Sequence, residues 1–136
     1  MKATLILTKN MGKVEKQFQH TVCNVFSHNR DDHAKNFSFI MDEKGSWGVS
    51  PAYDLTFSAG PQREHCTTVM GNGRNPGKRE LLKLANIVNI PEKKALFIIA
   101  KVQDAVSHWK KFAKESNIST QSLTQIEKFI KISNSF

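Results

Sequence analysis

The chain has 136 residues, enough for one domain around one core. Its 20 Lys and Arg against 12 Asp and Glu leave a formal charge of +8, which suits nucleic acid, phosphate groups or an acidic protein, although the cations are dispersed and accompany no signature for reading DNA or RNA. The longest apolar run, Ala95 to Ala100, is too short to cross a bilayer; the N-terminal apolar stretch precedes no cleavage site, and two distant cysteines with no Cys-x-x-Cys pair fit buried thiols in a reducing cytoplasm.

Residues 2–9 read as a short strand or as the tail of a longer element, and Asn10-Met11-Gly12 is a break. From Lys13 to about His28, Val14, Phe18, Val22, Val25 and Phe26 recur at helical spacing, with Lys13, Glu15, Lys16, Gln17 and Gln19 on the polar face. Residues 37–50 read as a hairpin. Phe37, Phe39 and Met41 alternate with Ser38, Ile40 and Asp42, Asp42-Glu43-Lys44-Gly45 is turn chemistry, Trp47 and Val49 return, and Pro51 stops the ladder. Residues 59–78 are rich in Gly, Pro, Asn and Arg and read as a surface excursion, with strand propensity at His65–Met70 and a turn at Gly71-Asn72-Gly73.

From Lys78 the pattern is helical. A short helix bears Leu81, Leu82, Leu84 and Ala85 and ends before Pro91. A long one is expected from Pro91 to Ser116 with the stripe Leu96, Ile99, Val102, Val106, Trp109 and Phe112, about 35 Å at roughly 1.5 Å per residue. Ser119 or Thr120 caps a last helix bearing Leu123, Ile126, Phe129 and Ile130. The fold expected is a mainly helical α+β domain with a small hairpin.

The densest chemistry lies in Ser27 to Asn36, between the first helix and the hairpin: two carboxylates, two imidazoles, an arginine, a lysine and two carboxamides within ten residues. A loop between two buried elements is where a rigid scaffold presents reactive groups. Phosphoryl transfer needs a carboxylate to orient the attacking hydroxyl and oxygen ligands for magnesium. Asp31 and Asn36, five positions apart, can supply both, and Asp54 follows the hairpin as a second metal carboxylate. Lys35 adds a cation able to offset phosphoryl charge.

Plainer readings stand beside each. Asp31 and Asp32 can be turn formers, His33 a packed histidine, Asn36 a strand-edge cap and Asp54 the start of a turn. His28 and His33 are five apart, not the four that puts two ligands on one helix face. Cys23 with His20 or His28 would make a thiol catalyst, but Cys23 lies on the apolar side of its helix. Gly71 to Lys78 fails as a phosphate loop, because five residues separate Gly71 from Gly77 and Arg79 stands where Ser or Thr must bind magnesium.

Asn29-Arg30-Asp31-Asp32-His33-Ala34-Lys35-Asn36-Phe37-Ser38 followed by Ser50-Pro51-Ala52-Tyr53-Asp54-Leu55 resembles the HipA family of bacterial serine/threonine kinases, the toxins of type II toxin–antitoxin modules. Glu64-His65-x-Thr67-Thr68-Val69-Met70-Gly71-x-Gly73-Arg74-Asn75-Pro76 is similar to the same family, and the likeness spans most of residues 13–90. The resemblance implies the C-terminal lobe of a kinase-like fold, with a catalytic and metal-binding core over 13–58 and a helical tail over 79–136. It implies Asp31 as base, Asn36 and Asp54 as magnesium ligands, Lys35 on the phosphates of ATP, and His33 on the same side supporting the loop. It also implies a DNA-binding, HipB-like antitoxin as partner, DNA contact only through it, and an aminoacyl-tRNA synthetase as a candidate substrate. No ATP-clamping N-terminal lobe fits before Lys13, so a separate polypeptide is expected to supply it and the chain alone is expected to transfer little phosphate. The alternative is a non-catalytic remnant that binds antitoxin or nucleic acid; DNA affinity that vanishes at modest salt, without ATP turnover, distinguishes it.

Overall fold

The computed structural model describes residues 1–135. Its described elements are α1 (Lys2–Thr8), α2 (Met11–Phe26), β1 (Phe39–Met41), β2 (Trp47–Val49), α3 (Lys78–Ile87), α4 (Glu92–Ser107), α5 (Trp109–Glu115) and α6 (Thr120–Ser133). The domain is mainly helical, with one small antiparallel sheet of two strands. Among the described residues no helix is long and apolar enough to cross a membrane.

α2 is the central element. Asn10 caps it by accepting from the Lys13 amide at 3.3 Å. Val14, Phe18, Val22, Val25 and Phe26, the residues at helical spacing, are all buried in the core. Full burial of such side chains is worth about 1.5–3 kcal/mol each. They meet Leu81 and Ala85 of α3 and Ala95, Ile98, Ile99 and Val102 of α4. The Ser119 cap holds, accepting from the Ser122 amide at 3.2 Å.

Tertiary contacts overrule local reading in four places. Residues 2–9 form a helix, not a strand. Seven residues would not stay helical alone in water, but Thr4 is buried, α1 packs on α2 and β2, and left-handed Lys9 (φ 51°) closes its end on the Leu5 carbonyl. The long C-terminal helix is broken at His108. The His108 ring and the Ser107 hydroxyl both reach the Asp104 carbonyl, at 2.8 and 2.7 Å. They take the acceptor that the backbone ladder would use. α5 then turns onto α6, so Ala113 is buried while Phe112, expected on the apolar stripe, is half exposed.

His65–Met70 is not a strand either. The His65 and Cys66 amides donate to the Gly73 and Arg30 carbonyls, at 2.8 and 3.0 Å. Only a tight reversal remains of the expected hairpin, with Val69 and Asn72 exchanging backbone bonds around left-handed Met70 and Gly71. Asn36 closes a single 3-10 turn, Ala34–Asn36, instead of starting a strand.

The hairpin itself pairs Phe39 with Val49, Ile40 with Gly48 and Met41 with Trp47. Asp42 Oδ1 accepts from the Lys44 and Ser46 amides, both at 2.9 Å, and Gly45 takes φ 78°, as turn chemistry requires.

Candidate functional site

α2 ends on His28, which adopts a left-handed backbone (φ 58°) while the Asn29 amide reaches back to the Asn24 carbonyl at 2.9 Å. This is a helix-terminating wrap normally built on glycine. The His28 ring repays the conformation by packing between Phe57 and Phe129 and meeting Ser133 Oγ at 2.7 Å. Burial, then the nearby cations Arg30 and His65, pushes its pKa down to about 4. The ring is therefore neutral at pH 7.

Beyond His28 and the buried Asn29, the side chains of Arg30, Asp31 and Asp32 point in, out and in. Arg30 turns inward. Its guanidinium donates to the Arg63 carbonyl, to the Arg74 carbonyl at 2.7 Å and to Asn75 Oδ1 at 3.3 Å. Burial lowers its pKa and Glu64 opposes that shift. Asp32 also turns inward and is 3% exposed. Its Oδ2 lies 2.9 Å from His65 Nδ1, its Oδ1 accepts from the Thr67 amide at 3.0 Å, and its carbonyl accepts from the Thr67 hydroxyl. Asp31, between them, points outward with 52% of its side chain exposed. Of two adjacent aspartates, only Asp31 has a carboxylate free to meet a substrate.

Asn36 and Asp54, 18 positions apart, are brought together. Asn36 Nδ2 donates to the Asp31 carbonyl at 2.9 Å and to Asp54 Oδ2 at 3.0 Å. Those two acceptors set the amide's orientation, since the flipped amide would put oxygen against oxygen. Asn36 Oδ1 is left with no hydrogen-bond partner among the described residues. Asp54 sits at φ 53°, a conformation Asp tolerates better than most residues. Asn29 holds it there by donating to its carbonyl at 3.2 Å, and Tyr53 Oη donates to the Lys35 carbonyl.

His33 Nε2 lies 4.0 Å from Asp31 Oδ1, and its buried Nδ1 has no partner. Lys35 is exposed on the same turn. Thus Asp31, His33, Asn36 and Asp54 converge, whereas Lys35 shares the turn without an ion pair among the described residues. The donor set fits magnesium: an amide oxygen beside a carboxylate is a hard-oxygen pair, and this metal takes few protein ligands and completes its shell with phosphate oxygens and water. Among the described residues no group of three His, Cys, Asp or Glu is placed to hold a metal ion by itself.

Sequence reasoning missed Asn24, Asn29, Arg30, Asp32, His65 and Thr67 as the loop's supports. No local signal separated Asp32 from Asp31, because the partners that bury Asp32 lie 33 and 35 positions away.

Cys23 is partly buried and burial raises its pKa, which fits an inert thiol. Cys66 is exposed, contrary to the expectation of two buried thiols, and its Sγ lies 3.8 Å from Asp31 Oδ1. Residual burial, then the Asp31 and Asp32 carboxylates, raises the Cys66 pKa as well. In a Cys23→Ser background at pH 8, Asp31→Asn is accordingly expected to speed iodoacetamide alkylation of Cys66 several-fold, followed by mass spectrometry. Equal rates with and without the Asp31 charge would contradict the contact.

The model of the HipA-like C-terminal domain family matches residues 1–109 of the chain, which include every site residue above. No curated protein matches it.

Proposed function

The chain belongs to the HipA-like C-terminal domain family, and from that premise we propose that it carries the catalytic loop and metal ligands of an ATP-dependent protein serine/threonine kinase. The observation that carries this reading is the convergence of Asp31, Asn36 and Asp54 from two separated segments, linked through one carboxamide. The order helix, loop, hairpin, aspartate supports the C-terminal lobe of a kinase-like fold.

In this reading Asn36 and Asp54 hold magnesium, and magnesium with ATP supplies charge neutralisation on the phosphoryl group and a phosphate to transfer. The chain's own residues do the rest. Asp31, open to solvent, would accept a hydrogen bond from a serine or threonine hydroxyl of the acceptor and take its proton as the acceptor oxygen bonds to the γ-phosphorus and the bond from that phosphorus to the bridging oxygen breaks, with ADP leaving. Lys35, exposed on the same turn, would offset negative charge on the transferred group, while His33 braces the turn beside Asp31. Asp32 is excluded as the base because both its oxygens are already engaged in a buried site.

The loop faces solvent, so productive transfer needs a further surface over the nucleotide to exclude water and orient phosphate. We assign that surface to another polypeptide stretch, whether in cis or in trans. The same family points to a DNA-binding antitoxin as partner and to protein hydroxyls, aminoacyl-tRNA synthetases among them, as acceptors.

The test does not depend on turnover. Manganese with a non-hydrolysable ATP analogue is expected to broaden the amide NMR signals of Asn36 and Asp54 selectively, and Asp54→Ala is expected to abolish the effect. Broadening spread over surface carboxylates such as Glu43 and Glu115, or none at millimolar metal, would reject the site. DNA binding that is lost at modest salt, alongside no metal effect, would favour the non-catalytic reading.

A further inference from the structure

We propose that the buried Asp32–His65 pair is the positioning device of the site: it fixes the backbone at Asp31 and, through it, the Asn36–Asp54 contact. Segment 63–75 is then part of the active site, although its one side chain near the Asp31 carboxylate, Cys66, is 3.8 Å away. The proposal rests on the phosphoryl-transfer reading for what Asp31 does, but not for the coupling itself.

The outward side chain of Asp31 is poorly held. Its nearest polar neighbours are His33 Nε2 at 4.0 Å and Cys66 Sγ at 3.8 Å, both beyond a strong hydrogen bond. Its position must come from the backbone, which is clamped on each side. Arg30 is tied to the carbonyls of Arg63 and Arg74, and its own carbonyl accepts from the Cys66 amide at 3.0 Å. Asp32 spends both carboxylate oxygens and its carbonyl on His65 and Thr67. Between these clamps, the Asp31 carbonyl receives Asn36 Nδ2, which also holds Asp54. A continuous hydrogen-bonded path thus runs from His65 through Asp32 and Asp31 to Asn36 and Asp54.

An apolar contact of the same volume would stabilise this wall as well or better, because burying polar groups costs desolvation energy. Directional bonds do what apolar packing does not. They define the rotation of the backbone at residues 31 and 32, and so which carboxylate faces out. In this contact His65 Nδ1 is the natural donor and Asp32 Oδ2 the acceptor. That makes a discriminating pair of variants available. In His65→Asn the amide nitrogen takes the place of Nδ1 and keeps the bond; in His65→Leu it is lost.

The test reads the Asn36 side-chain amide by NMR in the whole 136-residue chain, without metal or nucleotide. His65→Leu is expected to shift its signals and to speed its hydrogen exchange roughly tenfold, the scale of one lost hydrogen bond. His65→Asn is expected to stay near wild type. Ile99→Val, a core change far from this path, serves as the control that lowers Tm and leaves the Asn36 amide untouched. Should His65→Leu fail to fold, Thr67→Val removes only the surface hydroxyl bond to the Asp32 carbonyl and is expected to give a smaller shift of the same sign. If neither variant moves the Asn36 amide, or if Ile99→Val moves it equally, the positioning role is overturned. Intact coupling with no manganese effect would instead defeat the phosphoryl-transfer reading alone.

Discussion

Gly60→Ala is expected to destabilise the fold by about 3 kcal/mol and to loosen the loop that bears Asp31 with it. Gly60 takes φ +73°, and a Cβ there would lie 2.2 Å from the Glu64 carbonyl oxygen and 2.6 Å from Arg30 Cβ. The left-handed backbone alone costs an L-residue roughly 1–2 kcal/mol, and forcing a methyl into a filled site adds about 1–3 kcal/mol. Neither neighbour can yield cheaply. The Glu64 oxygen is backbone, and the Arg30 stem is pinned by its guanidinium bonds to Arg63 and Arg74. Relief would pull Arg30 outward and rotate Asp31 with it. Gly45→Ala provides the comparison, because Gly45 has φ +78° but nothing within 4 Å of a built Cβ. It bears the backbone cost alone, about 1 kcal/mol. Urea denaturation of the two variants separates the effects, and equal losses would show that the contact with Arg30 is not tight.

Acid is expected to weaken the protein through His28. The folded-state pKa is depressed to about 4 from an unfolded value near 6.5, so between those values the unfolded chain binds the extra proton and stability rises with pH. The contribution is fully present above pH 6.5 and is lost as pH falls through 6.5 toward 4. At about 1.4 kcal/mol per pKa unit the whole window is worth at most about 3 kcal/mol, less the screening that solvent provides. His28→Asn is the informative variant. Asn tolerates the left-handed backbone and keeps a polar atom toward Ser133, but it does not titrate. Urea midpoints for wild type are expected to fall steeply from pH 6.5 to 4 and those for His28→Asn to fall less. Parallel curves would assign the acid sensitivity to other groups.

The same residue ties the C-terminal helix to the loop. α6 lies beyond residue 109, where the family match ends, yet Phe129 packs on the His28 ring, Ser133 Oγ meets its Nδ1, and Asn134 donates to the Phe26 carbonyl at 3.2 Å. Protonating His28 therefore strains the start of the Asp31 loop and the seat of α6 together.

Much of the frame was legible in the sequence because its causes are local. The apolar residues of α2 mark one helical face. Asp42 and Gly45 announce the hairpin turn, and Ser119 announces the start of α6. Asp31, Asn36 and Asp54 stand out by residue type and order, and the residues around them carry the family resemblance. Those features depend on side-chain period, turn geometry and covalent neighbours, all of which are written along the chain.

The tertiary structure decided what depends on distant partners. Asp31 and Asp32 are the same residue type side by side, and only the presence of His65 and Thr67 on one side makes one a buried anchor and the other an exposed carboxylate. His65–Met70 has the composition of a strand, but its amides find the Arg30 and Gly73 carbonyls and the Asp32 carboxylate, so no ladder forms. The helix after Pro91 breaks where Ser107 and His108 bond back to Asp104 and α5 can fold onto α6. For Asp32 and for residues 65–70 the deciding bonds come from partners remote in sequence; for the helix break, the local bonds to Asp104 need the seat that α6 offers α5. A local pattern of residues does not contain those partners.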